Sequence, residues 1–507
     1  MKIKKFGELT YLKSVVLSWS GICLLGILAA AFFFRIYGIN FGLPYIYHPD
    51  EHSIVDRTLR MLRTRDFSPH WFAWPSLYFY IQALVYALHS LYLGFKGLSP
   101  QLAGFYLWGR FATVLLGTMT VALTYWVGKK VFSKKVGLLG ALFLAFSSEH
   151  VQYSHYITTD VPVAFFALVT FLLALLILEK GDTKYYILGG LLAGLTAATK
   201  YQAVLVFSCV FFAGVMRLLA GKKEYRKIIY SIIALGAGFL IGVPYAIMEA
   251  PTFLNDIRSI MQHYREGHLS AQGTANWWYY LVYFYREGMG KGILVLSICG
   301  LVFIAIRSNE KRFLCLVFVI LLFTRIYSAK VRFARNLMPL LPFLSLFAAF
   351  FLSYWLERWA KIDFVKKRRF LQIFVFVFLI GGLLFTPARI VWNWTYKKVH
   401  NEINPRTLAK EWVESHIPTG TVIATEWFTA PLNQFDSKRR YKLVAMDFLA
   451  RRNIDWYRER GVSYVMTSIG YERCLPEWTN FPYYIWIPNY IKIYRVKPNR
   501  TRGSRTL

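Results

Sequence analysis

Charge is what this sequence has least of. Only 17% of its 507 residues are Asp, Glu, Lys or Arg, whereas a soluble domain carries about 25%. The acids are the scarcer kind, 27 Asp and Glu against 60 Lys and Arg. Cysteine is sparse too. Cys23, Cys209, Cys299, Cys315 and Cys474 are the whole set, the first four lie in apolar runs, and no two form a CxxC pair. This excludes a disulfide framework and a cysteine metal knuckle. No small-residue cleavage site follows the first apolar run, so that run reads as a retained helix and not a secretory signal.

What fills the space is apolar: 56% of residues are hydrophobic and 18% aromatic. Over the first 390 residues, apolar runs recur between short polar clusters, the pattern of a membrane helix bundle. The net charge of +33 would suggest nucleic acid on a soluble protein. Here the cations crowd into short loops, where topology explains them, and no nucleic-acid partner is expected.

A span needs about 20 mostly apolar residues. Candidates fall near 14–36, 104–128, 136–149, 161–178, 185–199, 203–219, 228–248, 291–306, 313–328, 337–356 and 370–387. A further run, 76–94, has the length, but charge argues against a crossing. Lys129, Lys130, Lys134 and Lys135, the loops around Lys180, Lys222 and Arg307, and the cluster Arg358 to Arg369 all belong with Lys2, Lys4 and Lys5 on the cytoplasmic side. That requires an odd number of crossings between Lys5 and Lys129. Residues 76–94, rich in Tyr and Phe, are therefore expected to lie in the outer interface, and about eleven spans result.

This topology makes residues 1–390 a transmembrane domain with an external loop, 37–100, that carries interfacial helices. After residue 390 the chain turns polar. Residues 404–413 read as a helix with Pro405 in its first turn, and strand-like runs follow at 421–425, 442–446 and 462–467. Residues 391–507 are thus expected to form a small extracytoplasmic α/β domain with a basic tail. The protein is expected to be integral to the plasma (inner) membrane, N-terminus inside and C-terminal domain outside.

Chemistry-bearing residues gather on the expected outer face. Asp50 and Glu51 follow the first span, flanked by His48 and His52. A carboxylate pair there can act as general base or hold a divalent cation, or Asp50 can simply cap a helix. Asp160 stands at the start of the fourth span, where a charge is expensive, two residues before Pro162 in a position that also suits capping. Glu149, His150 and His155 share its loop. Opposing cations are Lys200, at an external helix end, and Lys330, Arg332 and Arg335, where the charge rule disfavours them. An anionic ligand explains them, since Arg suits phosphate; lipid headgroups are the plainer alternative.

His48-Pro-Asp-Glu51 after the first span, Thr159-Asp160, Gly194-Leu-Thr-Ala-Ala-Thr-Lys200-Tyr and Arg332-Phe-Ala-Arg335-Asn-Leu-Met-Pro-Leu-Leu-Pro342 resemble the GT-C membrane glycosyltransferases. The branch they are most similar to is the dolichyl-phosphate-mannose protein mannosyltransferase-like one, related to the lipid A aminoarabinose transferases. The resemblance covers roughly residues 10–390. It implies a mainly α, polytopic GT-C bundle and an inverting transfer of a monosaccharide. The donor is polyprenyl-phosphate-linked and the acceptor is a hydroxyl of a protein, glycan or lipid. It implies Asp50 as base, and Glu51 and Asp160 positioning the acceptor or a cation. Lys200, Arg332 and Arg335 would bind the donor phosphate. His48, His52, Glu149 and His155 are candidates for holding the acceptor or a divalent cation (Mg, Mn or Zn), a use that varies within the superfamily. The Lys-Val-Arg-Phe-Ala-Arg segment departs from the family's Arg-Tyr form, which leaves Arg332 and Arg335 competing for one role. A transporter or flippase of lipid-linked sugars is the alternative; it calls for broken helices or midspan charges, and the polar groups here collect at helix ends instead.

Overall fold

The computed structural model describes residues 19–267, 276–331, 333–399, 405–426, 429–433, 440–446, 449, 452–468, 484–487 and 491–496. The chain divides into two compact units, one of Met1–Ile39 and Asp50–Tyr396, the other of Asn40–Pro49 and Lys397–Leu507. Residues 40–49, expected in the first external loop, thus group with the C-terminal chain.

The first unit is helical. Its helices are α1 (Trp19–Ile36), α2 (Pro49–Thr64), α3 (Leu77–Phe95), α4 (Leu102–Val131), α5 (Lys134–Ala145), α6 (Ser148–Tyr153), α7 (Asp160–Lys180) and α8 (Thr183–Ala197). A 3-10 turn, Tyr201–Val206, leads into α9 (Phe207–Leu219), then α10 (Tyr225–Gly242), α11 (Ala250–Glu266), α12 (Asn276–Tyr283), α13 (Lys291–Ile306) and α14 (Glu310–Tyr327). A second 3-10 turn, Ala334–Leu340, precedes α15 (Leu341–Trp359), and α16 (Arg369–Val399) closes the unit.

Among the described residues, seven helical segments are long and apolar enough to cross a membrane, against the eleven spans expected. Four of the expected spans fall on helices that are shorter or more charged than that measure asks. Helix α5 has 12 residues and α8 has 15, short of the about 20 that a bilayer asks for. Helix α13 is apolar but has 16, and α14 carries Glu310, Lys311, Arg312 and Arg325 among its 18. Helix α3, the run expected to lie in the interface, is not one of the seven.

Small residues set how closely the helices approach. A Cβ added at Gly190 would stand 2.1 Å from Ser231 O, one at Gly194 2.2 Å from Leu235 O, and one at Gly238 2.1 Å from Leu191 O. Helices α8 and α10 therefore pack backbone to backbone through a small-xxx-small face.

Ion pairs bring the basic loops together. Lys130 and Lys311 both reach Glu179, at 2.7 and 2.8 Å, and Lys135 reaches Glu357 at 3.1 Å. Arg217 pairs with Glu224 at 2.7 Å and donates to Leu178 O at 3.0 Å. The basic loops therefore share one end of the bundle. Helix α7 runs 21 residues from Asp160 to Lys180, about 30 Å at 1.5 Å per residue, so Asp160 lies at the opposite end.

The second unit holds α17 (Pro405–His416), β1 (Val422–Glu426), β2 (Lys442–Met446), α18 (Ile454–Glu459), β3 (Tyr464–Ser468), β4 (Tyr484–Ile487) and β5 (Ile491–Arg495). The sheet order is β2-β1-β3-β5-β4, with β1 parallel to β2 and β3, and β5 antiparallel to β3 and β4. Ala409 and Val413 of α17, with Ile417 just after it, pack with Ile423, Met466 and Ile493 of the sheet. The 40–49 segment is tied to α17: Tyr47 OH bonds Thr407, and Arg406 donates to Tyr47 O at 2.9 Å.

Candidate active site

At the end of the bundle away from the basic loops, the first unit holds a cavity of about 790 Å³. Its lining combines the charged Asp50, Asp160, Lys200 and Arg335 with the apolar Val204, Leu205, Ile257, Ile260 and Met261.

Each carboxylate is placed by a helix start. Asp160 is the first residue of α7, 3% exposed, and accepts from Lys200 Nζ at 2.7 Å. Lys200 stands where α8 has ended and the 3-10 turn begins, its N–H donating to Thr196 O at 3.1 Å. Little water reaches this pair, so its attraction is less screened than a surface pair's. Asp50 lies in the first turn of α2 and pairs with Arg335 Nη2 at 3.3 Å. Arg335, in the second 3-10 turn, also stacks over Phe333 at 4.3 Å. The four residues form two ion pairs in the cavity lining.

The cavity's cover is held by hydrogen bonds. Phe72 N–H donates to Asp256 Oδ2 at 2.7 Å, Tyr201 OH to Phe72 O at 2.8 Å, and Lys330 N–H to Tyr264 O at 2.9 Å. Helix α11 and the 65–76 loop, with Trp74 lining the cavity, are thereby fixed over the site. His70 adds a latch between Asp66 at 2.6 Å and Glu249 at 3.0 Å.

Other nominated residues, among those described, do not line the cavity. Glu51 does not line the cavity; it is fully buried, accepts from Arg110 Nε and Nη2 at 2.8 Å each, and accepts from Ile157 N–H at 3.1 Å. Arg110 also donates to Ile39 O at 2.9 Å. Glu51 therefore joins α2 to α4 and to the stretch before α7. His155 is buried with its ring nitrogens facing Val151 O at 2.9 Å and Tyr37 O at 3.0 Å. His52 is exposed, and His48 belongs to the second unit. Glu149, in α6, accepts from Tyr283 OH, and its Oε1 is buried without a hydrogen bond. Burial pushes its carboxyl up to about 8 against the opposing Tyr283 bond. Arg332 lies outside the described residues. Among the described residues no three His, Cys, Asp or Glu side chains gather into a group that could hold a metal.

Two residues at this end escaped the sequence reading. Arg110, in the third turn of the apolar helix α4, carried a signal: a charge in that setting implies a buried partner. Arg325, in the last turn of α14, lines the cavity as well; in sequence it looks like a cation snorkelling from a helix end.

The fold that presents this cavity is that of the GT-C glycosyltransferases. Residues 95–248 match the model of the dolichyl-phosphate-mannose-protein mannosyltransferase family. The structure resembles archaeal oligosaccharyltransferase AglB from Archaeoglobus fulgidus, solved with an inhibitory peptide and a dolichol-phosphate. The TM-score is 0.58 at 10% identity, over 90% of this chain and 70% of that one. It also resembles ArnT from Cupriavidus metallidurans, solved with undecaprenyl phosphate, with a TM-score of 0.57 at 11% identity over 95% of this chain and 99% of the other. No curated protein matches the sequence.

Proposed function

We propose that the protein transfers a monosaccharide from a polyprenyl-phosphate-linked donor to a hydroxyl of a protein, glycan or lipid acceptor. The transfer inverts the anomeric centre and takes place on the extracytoplasmic face. The carrying observation is one cavity whose lining joins two carboxylates and two cations to apolar side chains, at the end of the bundle opposite the basic loops. A donor with a charged head and a hydrocarbon tail matches such a site in both halves. The two solved relatives hold dolichol-phosphate and undecaprenyl phosphate, which supports the lipid-phosphate part of the reading.

In this mechanism Asp50 takes the proton of the acceptor hydroxyl as its oxygen attacks the anomeric carbon from the face opposite the phosphate. The bond from that carbon to the phosphate oxygen breaks and its electron pair leaves with polyprenyl phosphate. Lys200 and Arg335, with Arg332 proposed for the same role, stabilise the charge gathering on the departing phosphate. Both paired cations already hold carboxylates, so the phosphate enters by sharing them with Asp160 and Asp50. Arg325 has no carboxylate partner among the described residues and guides the phosphate along the apolar lining. A phosphate is a good leaving group, and holding the reactants in line does most of the rest.

The test is to incubate purified protein with polyprenyl-phosphate sugars and an acceptor, follow the release of polyprenyl phosphate, and read the product anomer by NMR. Release with inversion is expected. Retention of configuration would discard direct displacement, and a donor that crosses the membrane unconsumed would favour the transporter reading.

A further inference from the structure

A second cavity, of about 890 Å³, lies at the basic end of the bundle between α1, α5, α15 and α16. Its walls are apolar: Ile27, Leu138, Leu142, Phe146, Leu356 and Phe376 carry most of them. Polar groups collect where Lys135 pairs with Glu357 and Gln372 stands nearby. Helix α16 is itself apolar, with a mean hydropathy of 2.2 over a stretch only 6% buried. Cys23 and Phe376 line the cavity and are also exposed on the bundle's surface. The cavity is therefore a cleft open sideways to the hydrocarbon around the bundle. Gly26 thins its wall; a Cβ there would meet no atom within 4 Å.

We propose that this cleft binds an anionic glycerophospholipid, with an acyl chain between the four helices and the phosphate at the Lys135 end. Apolar walls exclude a soluble polar ligand and would keep water out, while an empty cleft forfeits the dispersion contacts its lining would make. Hydrocarbon is the occupant at hand in a bilayer. Charge selects the head. The start of α5 and residues 357–369 together hold eight Lys and Arg against two acids, Glu357 and Asp363, a density that attracts anionic headgroups. The occupant fills the space between α16 and the rest of the unit, and so braces the helix that leads into the second unit. Transfer chemistry plays no part in this inference.

The experiment is native mass spectrometry of the full chain, delipidated in detergent and offered equal amounts of phosphatidylglycerol and phosphatidylcholine. One tightly held phosphatidylglycerol is expected. Gly26→Leu and Ala30→Leu, which place a side chain in the cleft, abolish it. Lys135→Gln lowers the preference for phosphatidylglycerol about fivefold, the effect of one surface cation. Equal retention of both lipids by the wild type overturns the proposal, as does unchanged retention by the two leucine variants. Thermal unfolding in lipid-free detergent guards the reading. Filled clefts should leave the midpoint at or above the wild type's; if both variants unfold earlier, the cleft is not open space and the proposal fails.

Discussion

Replacing Glu51 by Gln separates two roles for this residue. The resemblance assigns it to the acceptor; the structure shows it fully buried, with both oxygens held by Arg110 at 2.8 Å and one also accepting from Ile157 N–H. Glu51→Gln leaves the Arg110 guanidinium buried without its counter-charge, which costs about 3–5 kcal/mol. Each kcal/mol moves a domain of 150–250 residues by about 2–4 °C, so for this larger unit the midpoint should fall by roughly 5–10 °C. Tryptophan fluorescence during heating of the detergent-purified protein reads it. The double variant Glu51→Gln, Arg110→Met removes both charges and should recover much of the loss, because a well-packed apolar replacement of a buried pair is often neutral. A Glu51→Gln protein that melts with the wild type while its acceptor KM rises would refute the structural role and restore the one implied by the resemblance.

Lys200→Met strands Asp160, which is 3% exposed. Transfer should fall about 10²–10³-fold in kcat, the usual loss for one stabilising donor, and Lys200→Arg should recover part of it in the same assay. The raised Glu149 carboxyl predicts a pH dependence of stability. The folded state keeps a proton that the unfolded chain releases, so the stabilisation is complete below the ordinary value of 4.5 and is lost as pH rises through about 8. Melting points measured from pH 5 to 9 should decline, Glu149→Gln should flatten the slope, and a wild type insensitive to pH contradicts the assignment. Gly194→Leu drives a side chain into Leu235 O; loss of the folded, monodisperse protein on size exclusion is expected, and normal yield would mean that α8 and α10 do not pack so closely.

The periodic and compositional features of the fold were legible in the sequence. Runs of apolar residues mark α1, α4, α7 and α15, and Pro405 marks the start of α17, because helix length, burial and caps are written locally. The strand runs after residue 420 fall on β1, β2 and β3 for the same reason. Span limits are less legible where a helix is short, as in α5, or charged, as in α14. Asp50, Asp160, Lys200 and Arg335 could be nominated one by one, and the structure lines one cavity with all four. Which acid meets which cation was not legible: Asp160 and Lys200 stand 40 residues apart, and Glu51 and Arg110 stand 59 apart. Pairing at such distances is a product of packing, and local patterns carry no record of it. Adjacent in sequence, Asp50 and Glu51 point to different surroundings because successive helical side chains lie about 100° apart, and that separates a cavity residue from a buried clamp.

The most direct test of the transferase account compares the wild type with Asp50→Asn, using a panel of polyprenyl-phosphate monosaccharides and an acceptor. The account predicts that one donor is consumed by the wild type and spared by the variant, while both proteins bind it and melt alike. Equal consumption by both, or binding without turnover by either, would contradict Asp50 as the base and the cavity as a site of sugar transfer.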